Sequence, residues 1–293
     1  MGYNRGVMSQ INSTSAPIRA LFVDMDGTMI GPDERVSPVV CHAIQAAHAA
    51  GCVIVPCTGR TRFTAQPIAE QLGIPLEYAI TANGAVAQHW GKEELLFCHN
   101  IPREMAQFVA TEVLNLGAQI YVYEDSLVYE LERSRAFYDP RFEIGPWATP
   151  PRYRPKADLC ENLPFDPVSV ATFGKKAQVH PLVPIIEGRI GEQVSILQSG
   201  SEHFWGIEIY IKGVNKGTAA AWLMEHLGIA QEETLAIGDH LNDLDMIKWA
   251  GIGVAMHNAQ PEVLAIADYV TTSVYEDGVA RAIEKFILKP IHK

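Results

Sequence analysis

Two aspartates, Asp24 and Asp26, follow the apolar residues 18–23 and belong to the sequence DMDGT at residues 24–28. Carboxylates at positions i and i+2 can bind one cation together, or act as a nucleophile and an acid–base group. Gly27 permits a sharp turn whose backbone amides attract oxyanions. Taken alone, the segment is equally consistent with a polar turn that carries two solvated aspartates.

A hydroxyl and an amine occupy two further segments that follow apolar runs. In Thr58-Gly59-Arg60, a hydroxyl lies beside a glycine turn just before a helical pattern begins, which suits a phosphate contact, although it also suits a simple helix cap. Lys216 belongs to the sequence GVNKGT at residues 213–218. A lysine there can neutralise a phosphate and nearby carboxylates together, whereas taken alone it is typical of the protein surface.

The fourth segment contains Asp239, Asn242 and Asp243, directly after the apolar residues 234–237. Two carboxylates can complete an oxygen-rich site, which suits Mg²⁺ better than a soft metal. The alternative is that Asn242 or an aspartate caps the helix that follows. We expect His240 to be a loop residue rather than a metal ligand, because no second histidine lies at ligand spacing.

Alternating strand and helix patterns position these four segments. The predicted strands are 18–23, 52–57, 78–81, 207–211, 234–237, 252–255 and 269–271, and the predicted helices are 39–50, 61–72, 216–227, 242–249, 261–267 and 278–287. Such alternation predicts a Rossmann-like parallel sheet with helices on both faces. Ligands bind at the carboxyl edge of such a sheet, so we expect the four segments to converge there.

Residues 86–206 interrupt this pattern and predict an inserted α+β cap domain. Strands 119–123 and 127–131 are separated by a short turn, which is hairpin geometry, and a helix at 103–115 and a strand at 168–173 accompany them. We therefore expect a disordered tail at 1–17, a core made of 18–85 and 207–293, and a cap at 86–206.

The composition of the 293 residues excludes several classes of function. A net charge of −11 argues against a nucleic-acid surface, which needs a positive patch. No apolar run approaches the ~20 residues of a membrane-spanning helix, and no signal-like stretch opens the chain, so we expect a cytoplasmic protein without a membrane partner. The five cysteines are an odd number without a C-x-x-C pair, which predicts buried free thiols.

The four segments, in this order, resemble those of the haloacid dehalogenase (HAD) superfamily, and within it the Cof-type subfamily IIB phosphatases with a large cap. Residues 80–85, 256–259 and 277–280 also fit the pattern of that subfamily. The resemblance covers roughly residues 18–86 and 207–287, whereas the cap resembles the family only in its layout.

The resemblance implies a phosphatase that forms an aspartyl-phosphate on Asp24, with Asp26 as the general acid and base. Asp26 should then be protonated when substrate binds, so we expect neighbouring carboxylates to raise its pKa. Mg²⁺ would be held by Asp24, the main-chain carbonyl of Asp26 and Asp239, with Asp243 as a ligand either directly or through water. An anionic phosphate facing this many carboxylates requires such a cation.

Thr58, Lys216 and the amides near Gly27 and Gly59 would bind the phosphoryl oxygens, and the substrate would be a small phosphate monoester such as a sugar phosphate. Further substrate-binding candidates are Asn83 and Gly84, in a hinge or an ordinary turn, and Asn242 and Asn258, which could orient Lys216 or the phosphate. Basic residues of the cap could bind a second anion, although a solvated loop is the better hypothesis: Arg133, Arg135, Arg141, Arg152, Arg154 and Lys156. Asp125 and Ser126, at a hairpin tip, are speculative candidates.

Three alternatives remain open. A phosphomutase of the same superfamily would return the phosphoryl group to a sugar. A phospho-accepting regulator also uses aspartates, a threonine and a lysine around Mg²⁺, but it has no inserted cap. A catalytically silent binding protein would have no need of the complete residue set. The chain is expected to act as a monomer or a homodimer on a small phosphorylated metabolite.

Overall fold

A computed structural model describes residues 17–92, 94–124, 127–131, 153–156 and 160–289. The expected disordered tail therefore lies outside the described residues except for Pro17, as do Asp125 and Ser126 at the hairpin tip. Four of the basic cap residues also lie outside them, and the other two belong to a strand whose side chains are not described: Arg133, Arg135, Arg141 and Arg152, then Arg154 and Lys156.

Strands and helices alternate along much of the described chain. The strands are β1 (Ala20–Val23), β2 (Val53–Pro56), β3 (Tyr78–Thr81), β4 (Val86–His89), β5 (Glu94–Cys98), β6 (Gln119–Glu124), β7 (Leu127–Leu131), β8 (Tyr153–Lys156), β9 (Ser169–Gly174), β10 (Val194–Gly200), β11 (Trp205–Ile211), β12 (Thr234–Gly238), β13 (Ile252–Ala255) and β14 (Tyr269–Val270). The helices are α1 (Pro38–Ala49), α2 (Arg62–Ala69), α3 (Arg103–Asn115), α4 (Lys176–Val179), α5 (Leu182–Ile190), α6 (Lys216–Leu227), α7 (Leu244–Trp249), α8 (Pro261–Ile266) and α9 (Gly278–Ile283).

The first sheet is parallel and has the strand order β14-β13-β12-β1-β2. Both of its faces are covered, because alternate residues of a strand point to opposite sides. Leu21 of β1 packs in the same apolar cluster as Ile44 of α1, whereas Phe22 packs with Leu223 of α6. This confirms the predicted α/β core.

Helix caps explain where α1 and α6 begin. The Ser37 hydroxyl accepts a hydrogen bond from the Val40 amide at 3.2 Å, and Pro38 occupies the first helical turn. The Asn215 side chain accepts a hydrogen bond from the Thr218 amide at 2.7 Å. A side-chain acceptor at this position satisfies an amide that has no partner within the helix.

The second sheet has six strands in the order β10-β11-β9-β6-β7-β8. Strands β6 and β7 form the predicted antiparallel hairpin, and the apolar face of the sheet packs against α3 and α5. Strand β11 also belongs here, since it pairs antiparallel with β9 and β10. The expectation that 207–211 opens the second part of the parallel sheet was therefore wrong, because a short apolar run does not reveal its partner strand. The domain boundaries themselves remain a prediction.

The third sheet corrects the expectation for Tyr78–Thr81. This strand, β3, pairs antiparallel with β4 in a three-stranded sheet that continues to β5. A single parallel bridge between Cys57 and Ile80 connects it to the end of β2. Strand β4 returns along β3 after only a short 3₁₀ turn, Ala82–Gly84, so the hairpin supplies the main partner of β3.

All five cysteines are free thiols, but only Cys52 and Cys57 are buried; Cys41, Cys98 and Cys160 are partly exposed. The expectation of buried thiols therefore holds for two of them. Burial raises the pKa of Cys52 to about 12, so this thiol is unreactive at neutral pH. In the part of the chain that the structure describes, no helix is both long enough and apolar enough to cross a membrane.

Gly84 is expected to be essential for the close packing of its turn against α6. It has a φ of +98°, and an added Cβ would lie 2.2 Å from the carbonyl oxygen of Asn215. Gly84→Ala should therefore lower the free energy of unfolding by several kcal/mol, measured by urea denaturation. Gly51→Ala is the control, since Gly51 also has a positive φ, +87°, but nothing lies within 4 Å. It should cost only about 1 kcal/mol, and equal losses would contradict the packing argument.

Candidate active site

The predicted site residues meet at the carboxyl edge of the parallel sheet. Asp24 directly follows β1, Thr58 lies two residues beyond β2, and Asp239 directly follows β12. Lys216 is the first residue of α6, and Asp243 ends the 3₁₀ turn Leu241–Asp243. The structure therefore brings these five side chains to one end of the sheet, as the sequence predicted for a parallel α/β core.

The Lys216 ammonium joins two of the carboxylates. Its Nζ lies 2.6 Å from Asp24 Oδ1 and 2.6 Å from Asp243 Oδ1, and the side chain of Lys216 is fully buried. Burial lowers the pKa of Lys216, but the charges of Asp24 and Asp243 outweigh it and raise the pKa above its ordinary value. The lysine is therefore a permanent cation held between two aspartates.

Backbone amides orient Asp243. Its Oδ2 accepts hydrogen bonds from the amides of Asp239 and His240, each at 3.0 Å, while its Oδ1 accepts from Lys216. Burial lowers the pKa of His240 and favours its neutral form. His240 belongs to the loop between β12 and α7, as expected.

A third carboxylate, that of Asp239, lies beside this pair. Its Oδ1 accepts a hydrogen bond from the Thr28 hydroxyl at 2.9 Å, and its Oδ2 accepts one from Asn258 Nδ2 at 3.3 Å. Burial, followed by the charge of Asp243, raises the pKa of Asp239 to about 6. Burial and Asp243 likewise raise the pKa of Asp24 well above its usual range, which Lys216 only partly opposes.

The three aspartates fit a divalent metal ion. Asp24, Asp239 and Asp243 each offer a carboxylate oxygen, and these oxygens lie within 4.8 Å of one another. At this separation each pair of like charges repels by about 3 kcal/mol at an effective dielectric near 20, and Lys216 compensates only part of this. Oxygen-only ligands suit Mg²⁺. The side chain of Asp26 is not part of this cluster, and ligation by its main-chain carbonyl remains a prediction.

The Asp26 carboxylate instead forms a two-point ion pair with Arg60. Arg60 Nε lies 2.7 Å from Asp26 Oδ2 and Arg60 Nη2 lies 2.6 Å from Asp26 Oδ1, while Nη2 also contacts Glu34 Oε1 at 2.8 Å. The charged partner that the structure gives this carboxylate is therefore a guanidinium rather than the neighbouring carboxylates, and the role of Asp26 as an acid stays a prediction. The sequence pattern alone predicted no role for Arg60, although this residue directly follows Thr58-Gly59 at the same sheet edge.

The turn after β3 lies against the turn after β2. Asn83 is buried with a φ of +55°, and Ala82 before it also has a positive φ, +49°. The Asn83 amide donates to the carbonyl of Thr58 at 3.0 Å, and an added Cβ on Gly59 would lie 2.9 Å from Asn83 Oδ1. The Thr58 hydroxyl, which is buried, accepts from the Arg60 amide at 3.1 Å. Such strained backbone persists where neighbouring contacts hold it.

The two predicted asparagines contact other groups than Lys216. Asn258 Nδ2 donates to the Gly27 carbonyl at 2.9 Å as well as to Asp239, so it joins two of the loops at the site. Asn242 Nδ2 donates to Asn83 Oδ1 at 2.8 Å. Gly27 has a φ of +78°, and an added Cβ would lie 2.3 Å from Asp239 Oδ2. Orientation of Lys216 by either asparagine is therefore not observed.

A cavity of about 410 Å³ lies over the site. Its core side includes Asp24, Asp26, Gly59, Arg60 and Asp239. The opposite wall belongs mainly to the six-stranded sheet. None of its residues was predicted as a site residue, because β-strand alternation alone does not indicate a ligand-facing side. The described residues of that wall are Tyr123, Val128, Ser169, Phe173, Ser199, Phe204, Glu208 and Tyr210.

Comparison with known proteins identifies the family. The family described as haloacid dehalogenase-like hydrolase matches residues 21–283. The chain belongs to this family. The sequence motifs had predicted the same superfamily, and that prediction is confirmed.

Similar proteins cover nearly the whole chain. A 5-amino-6-(5-phospho-D-ribitylamino)uracil phosphatase of Bacillus subtilis is 30% identical over 273 residues, which is 92% of this chain and 96% of that protein. A solved haloacid dehalogenase-like hydrolase from B. subtilis has a TM-score of 0.77 and 27% identity, with 92% of this chain and 100% of that chain covered. The HAD subclass IIB sugar phosphatase BT4131 has a TM-score of 0.72 and 27% identity, with 91% and 98% covered.

Curated relatives of this haloacid dehalogenase-like hydrolase are named phosphatases. Together with the family match, this confirms the predicted enzyme class, a phosphoric monoester hydrolase. The five-stranded parallel sheet and the additional antiparallel sheet also agree with the fold of the solved relatives.

In the metal-free protein, the contribution of Asp239 to the free energy of unfolding should fall as pH rises through about 4 to 6. The folded-state pKa of Asp239, about 6, exceeds its ordinary value of 3.8. The folded chain therefore binds more protons than the unfolded chain in this range, and this term lowers the free energy of unfolding as pH increases. Asp239→Asn removes the term. The melting temperature of Asp239→Asn minus that of the wild type should therefore increase as pH rises from about 4 to 7 in metal-free buffer.

Millimolar Mg²⁺ should raise the melting temperature of the wild type at neutral pH, because the cation relieves repulsion within the cluster. Asp239→Asn should respond much less. Asp245→Asn, at an exposed position on α7, is the matched control and should behave like the wild type. Equal responses from all three proteins would exclude a metal site at Asp239.

Proposed function

We propose that this protein is a Mg²⁺-dependent phosphatase that hydrolyses small phosphate monoesters, such as sugar phosphates or similar metabolites, through an aspartyl-phosphate on Asp24. The observation that carries the proposal is the buried Lys216 ammonium between Asp24 and Asp243, at a centre whose Asp24 and Asp239 line a substrate-sized cavity. This arrangement supplies a nucleophile, positive charge and a divalent-metal ligand set in one place.

Asp24 acts as the nucleophile. Lys216 holds its Oδ1, while its Oδ2 accepts no hydrogen bond from the described residues and keeps its lone pairs for attack. One carboxylate oxygen forms a bond to phosphorus as the bond from phosphorus to the ester oxygen breaks. Water then attacks the same phosphorus and releases inorganic phosphate, which regenerates the Asp24 carboxylate.

Asp26 gives a proton to the departing ester oxygen and later removes one from the attacking water. Its carboxylate lines the cavity, but Arg60 holds it in an ion pair. Productive binding of substrate therefore requires Asp26 to leave Arg60 and take up a proton. Arg60 keeps Glu34 as its second carboxylate partner, so its charge is not left unpaired.

Mg²⁺ would be held by the carboxylates of Asp24, Asp239 and Asp243 and by the main-chain carbonyl of Asp26, and would supply Lewis-acid stabilisation of the charge on phosphate. Lys216, Thr58 and the amides of the Gly27 and Gly59 turns would bind phosphoryl oxygens. Asn83, Gly84, Asn242 and Asn258 keep the surrounding loops in place: Asn258 joins Gly27 to Asp239, and Asn242 joins the Asn83 turn to the loop after β12.

The partner is a small phosphorylated metabolite, and the protein acts as a cytoplasmic monomer or homodimer. The B. subtilis relative named for a ribitylaminouracil phosphate illustrates that a protein of this length and similarity accepts a metabolite ester. Sustained release of inorganic phosphate from monoesters, without an added bisphosphate activator, distinguishes this function from a phosphomutase or a silent binding protein.

Asp24→Asn should abolish turnover of phosphate monoesters while the fold stays intact. The amide cannot act as the nucleophile, yet it preserves the shape of the side chain. Released phosphate, circular dichroism and melting temperature check the two parts of this prediction, with the exposed Asp245→Asn as a fully active control. Activity within about tenfold of wild type would exclude Asp24 as the nucleophile.

Asp26→Asn should slow alkyl phosphates by roughly 10²- to 10⁴-fold, because their leaving group needs a proton. It should slow 4-nitrophenyl phosphate far less in the first step, since nitrophenolate leaves without protonation. Rates of leaving-group release in single-turnover experiments test this difference. Equal losses for both esters would count against the acid role of Asp26.

A further inference from the structure

One face of the six-stranded sheet lines the cavity opposite the carboxylate cluster. On β11, Ile207 and Ile209 pack in the apolar cluster that contains α3 and α5, whereas Glu208 and Tyr210 line the cavity. On β9, Val170 belongs to that same apolar cluster. The alternation of strand side chains therefore separates a structural face from a ligand-facing one.

Aromatic rings make up much of the ligand-facing wall. Phe173 and Phe204 stack with their ring centroids 5.9 Å apart and an interplanar angle of 12°. Tyr123 and Tyr210 extend the aromatic surface across the cavity. Flat, apolar surfaces of this kind suit a planar ring in the ligand better than a hydroxyl-rich chain, which would lose hydrogen bonds to water.

Glu208 is the one carboxylate among the described residues of this wall. Its Oε2 accepts hydrogen bonds from the Tyr210 hydroxyl at 2.6 Å and from Asn83 Nδ2 at 3.4 Å, but its Oε1 accepts none from the described residues. No lysine, arginine or histidine among the described residues forms an ion pair with Glu208. Burial raises the pKa of Glu208, and the bond from Tyr210 opposes this only in part.

A hydrogen-bond chain holds Glu208 in a fixed orientation relative to the reacting centre. Asn83 Nδ2 donates to the Tyr210 hydroxyl at 3.0 Å, and Asn83 Oδ1 accepts from Asn242 Nδ2 at 2.8 Å. Asn242 directly precedes Asp243, the carboxylate that contacts Lys216. The acceptor Oε1 is therefore preorganised, which lowers the entropic cost of binding a donor.

We propose that Glu208 determines the substrate of this site by binding an ammonium or other N–H group on a planar ring, which forms the leaving group of the phosphate monoester. A carboxylate that is largely shielded from water and has no cation beside it is unfavourable, and a positively charged donor on the ligand would compensate its charge.

A second anionic group on the substrate is disfavoured. Arg60 is the only lysine or arginine among the described residues that line the cavity, and it keeps Glu34 as a carboxylate partner when Asp26 leaves it. This inference rests on the proposed phosphatase function.

Three synthetic esters test the substrate class on wild-type enzyme with Mg²⁺. They are meta-(aminomethyl)benzyl phosphate, its near-isostere meta-ethylbenzyl phosphate, and the anionic meta-(carboxymethyl)benzyl phosphate. The amine ester should have a kcat/KM at least about tenfold above that of the ethyl ester, as a charge-assisted hydrogen bond provides, and the carboxylate ester should be the poorest. Equal values for the amine and ethyl esters would overturn the proposal.

Glu208→Gln tests the residue itself. The variant keeps the shape and the acceptor for Tyr210 but loses the charge, so the ratio of amine to ethyl ester should fall to near one, mainly through a higher KM for the amine ester. Turnover of the ethyl ester should stay within about threefold of wild type. Glu187→Gln, at an exposed position on α5, is the control and should keep the wild-type ratio. Equal losses for both esters would mean that Glu208 only supports the fold, and would overturn the assignment.

Binding of the alcohol separates this inference from the phosphatase proposal. If no ester is hydrolysed by any form of the protein, the phosphatase proposal fails, but calorimetry with meta-(aminomethyl)benzyl alcohol still tests Glu208. Binding that is clear for wild type and at least about tenfold weaker for Glu208→Gln supports recognition of the amine. Equal affinity, or no binding to either protein, overturns it.

Discussion

A fully buried lysine between two aspartates is the interaction on which the rest of the site depends. Lys216 has no access to water, so its charge is tolerable only because Asp24 and Asp243 lie 2.6 Å away. Both aspartates need the lysine for the same reason. The three charged side chains can contact one another only if the start of α6, the end of β1 and the turn before α7 lie close together. These segments are therefore tightly packed. Gly84 and Gly217, which lie against Asn215 and Asp245, provide the necessary close approaches.

Without a further cation, the negative charges of the site are only partly compensated. Three carboxylates have oxygens within 4.8 Å of one another, and among the described residues Lys216 is the one ammonium that contacts them. The raised pKa values of Asp24 and Asp239 express this excess of negative charge in a place from which water is largely excluded. A divalent ion would relieve the repulsion and at the same time attract an anionic phosphate. Stability and proposed catalysis therefore share one electrostatic cause.

Two hydrogen-bonded connections extend from this centre. On one side Arg60 pairs with both Asp26 and Glu34, so the carboxylate of the proposed acid contacts a guanidinium rather than Lys216. On the other side Asn83 connects the loop after β12 with Glu208 of the antiparallel sheet. The reacting centre and the wall that faces the leaving group are thus parts of one network.

The sequence by itself determined the parallel core, the four polar segments and the family, because strand and helix periods, caps and glycine turns are local properties. Asp24, Lys216 and Asp239 could be placed at one edge for that reason. Tertiary structure decided what depends on distant partners. It assigned β3 and β11 to antiparallel sheets, since an apolar strand pairs with whichever neighbour the chain brings to it. It also paired Asp26 with Arg60 and placed Glu208 on the cavity side of its sheet. Both results depend on packing between segments that lie far apart in sequence.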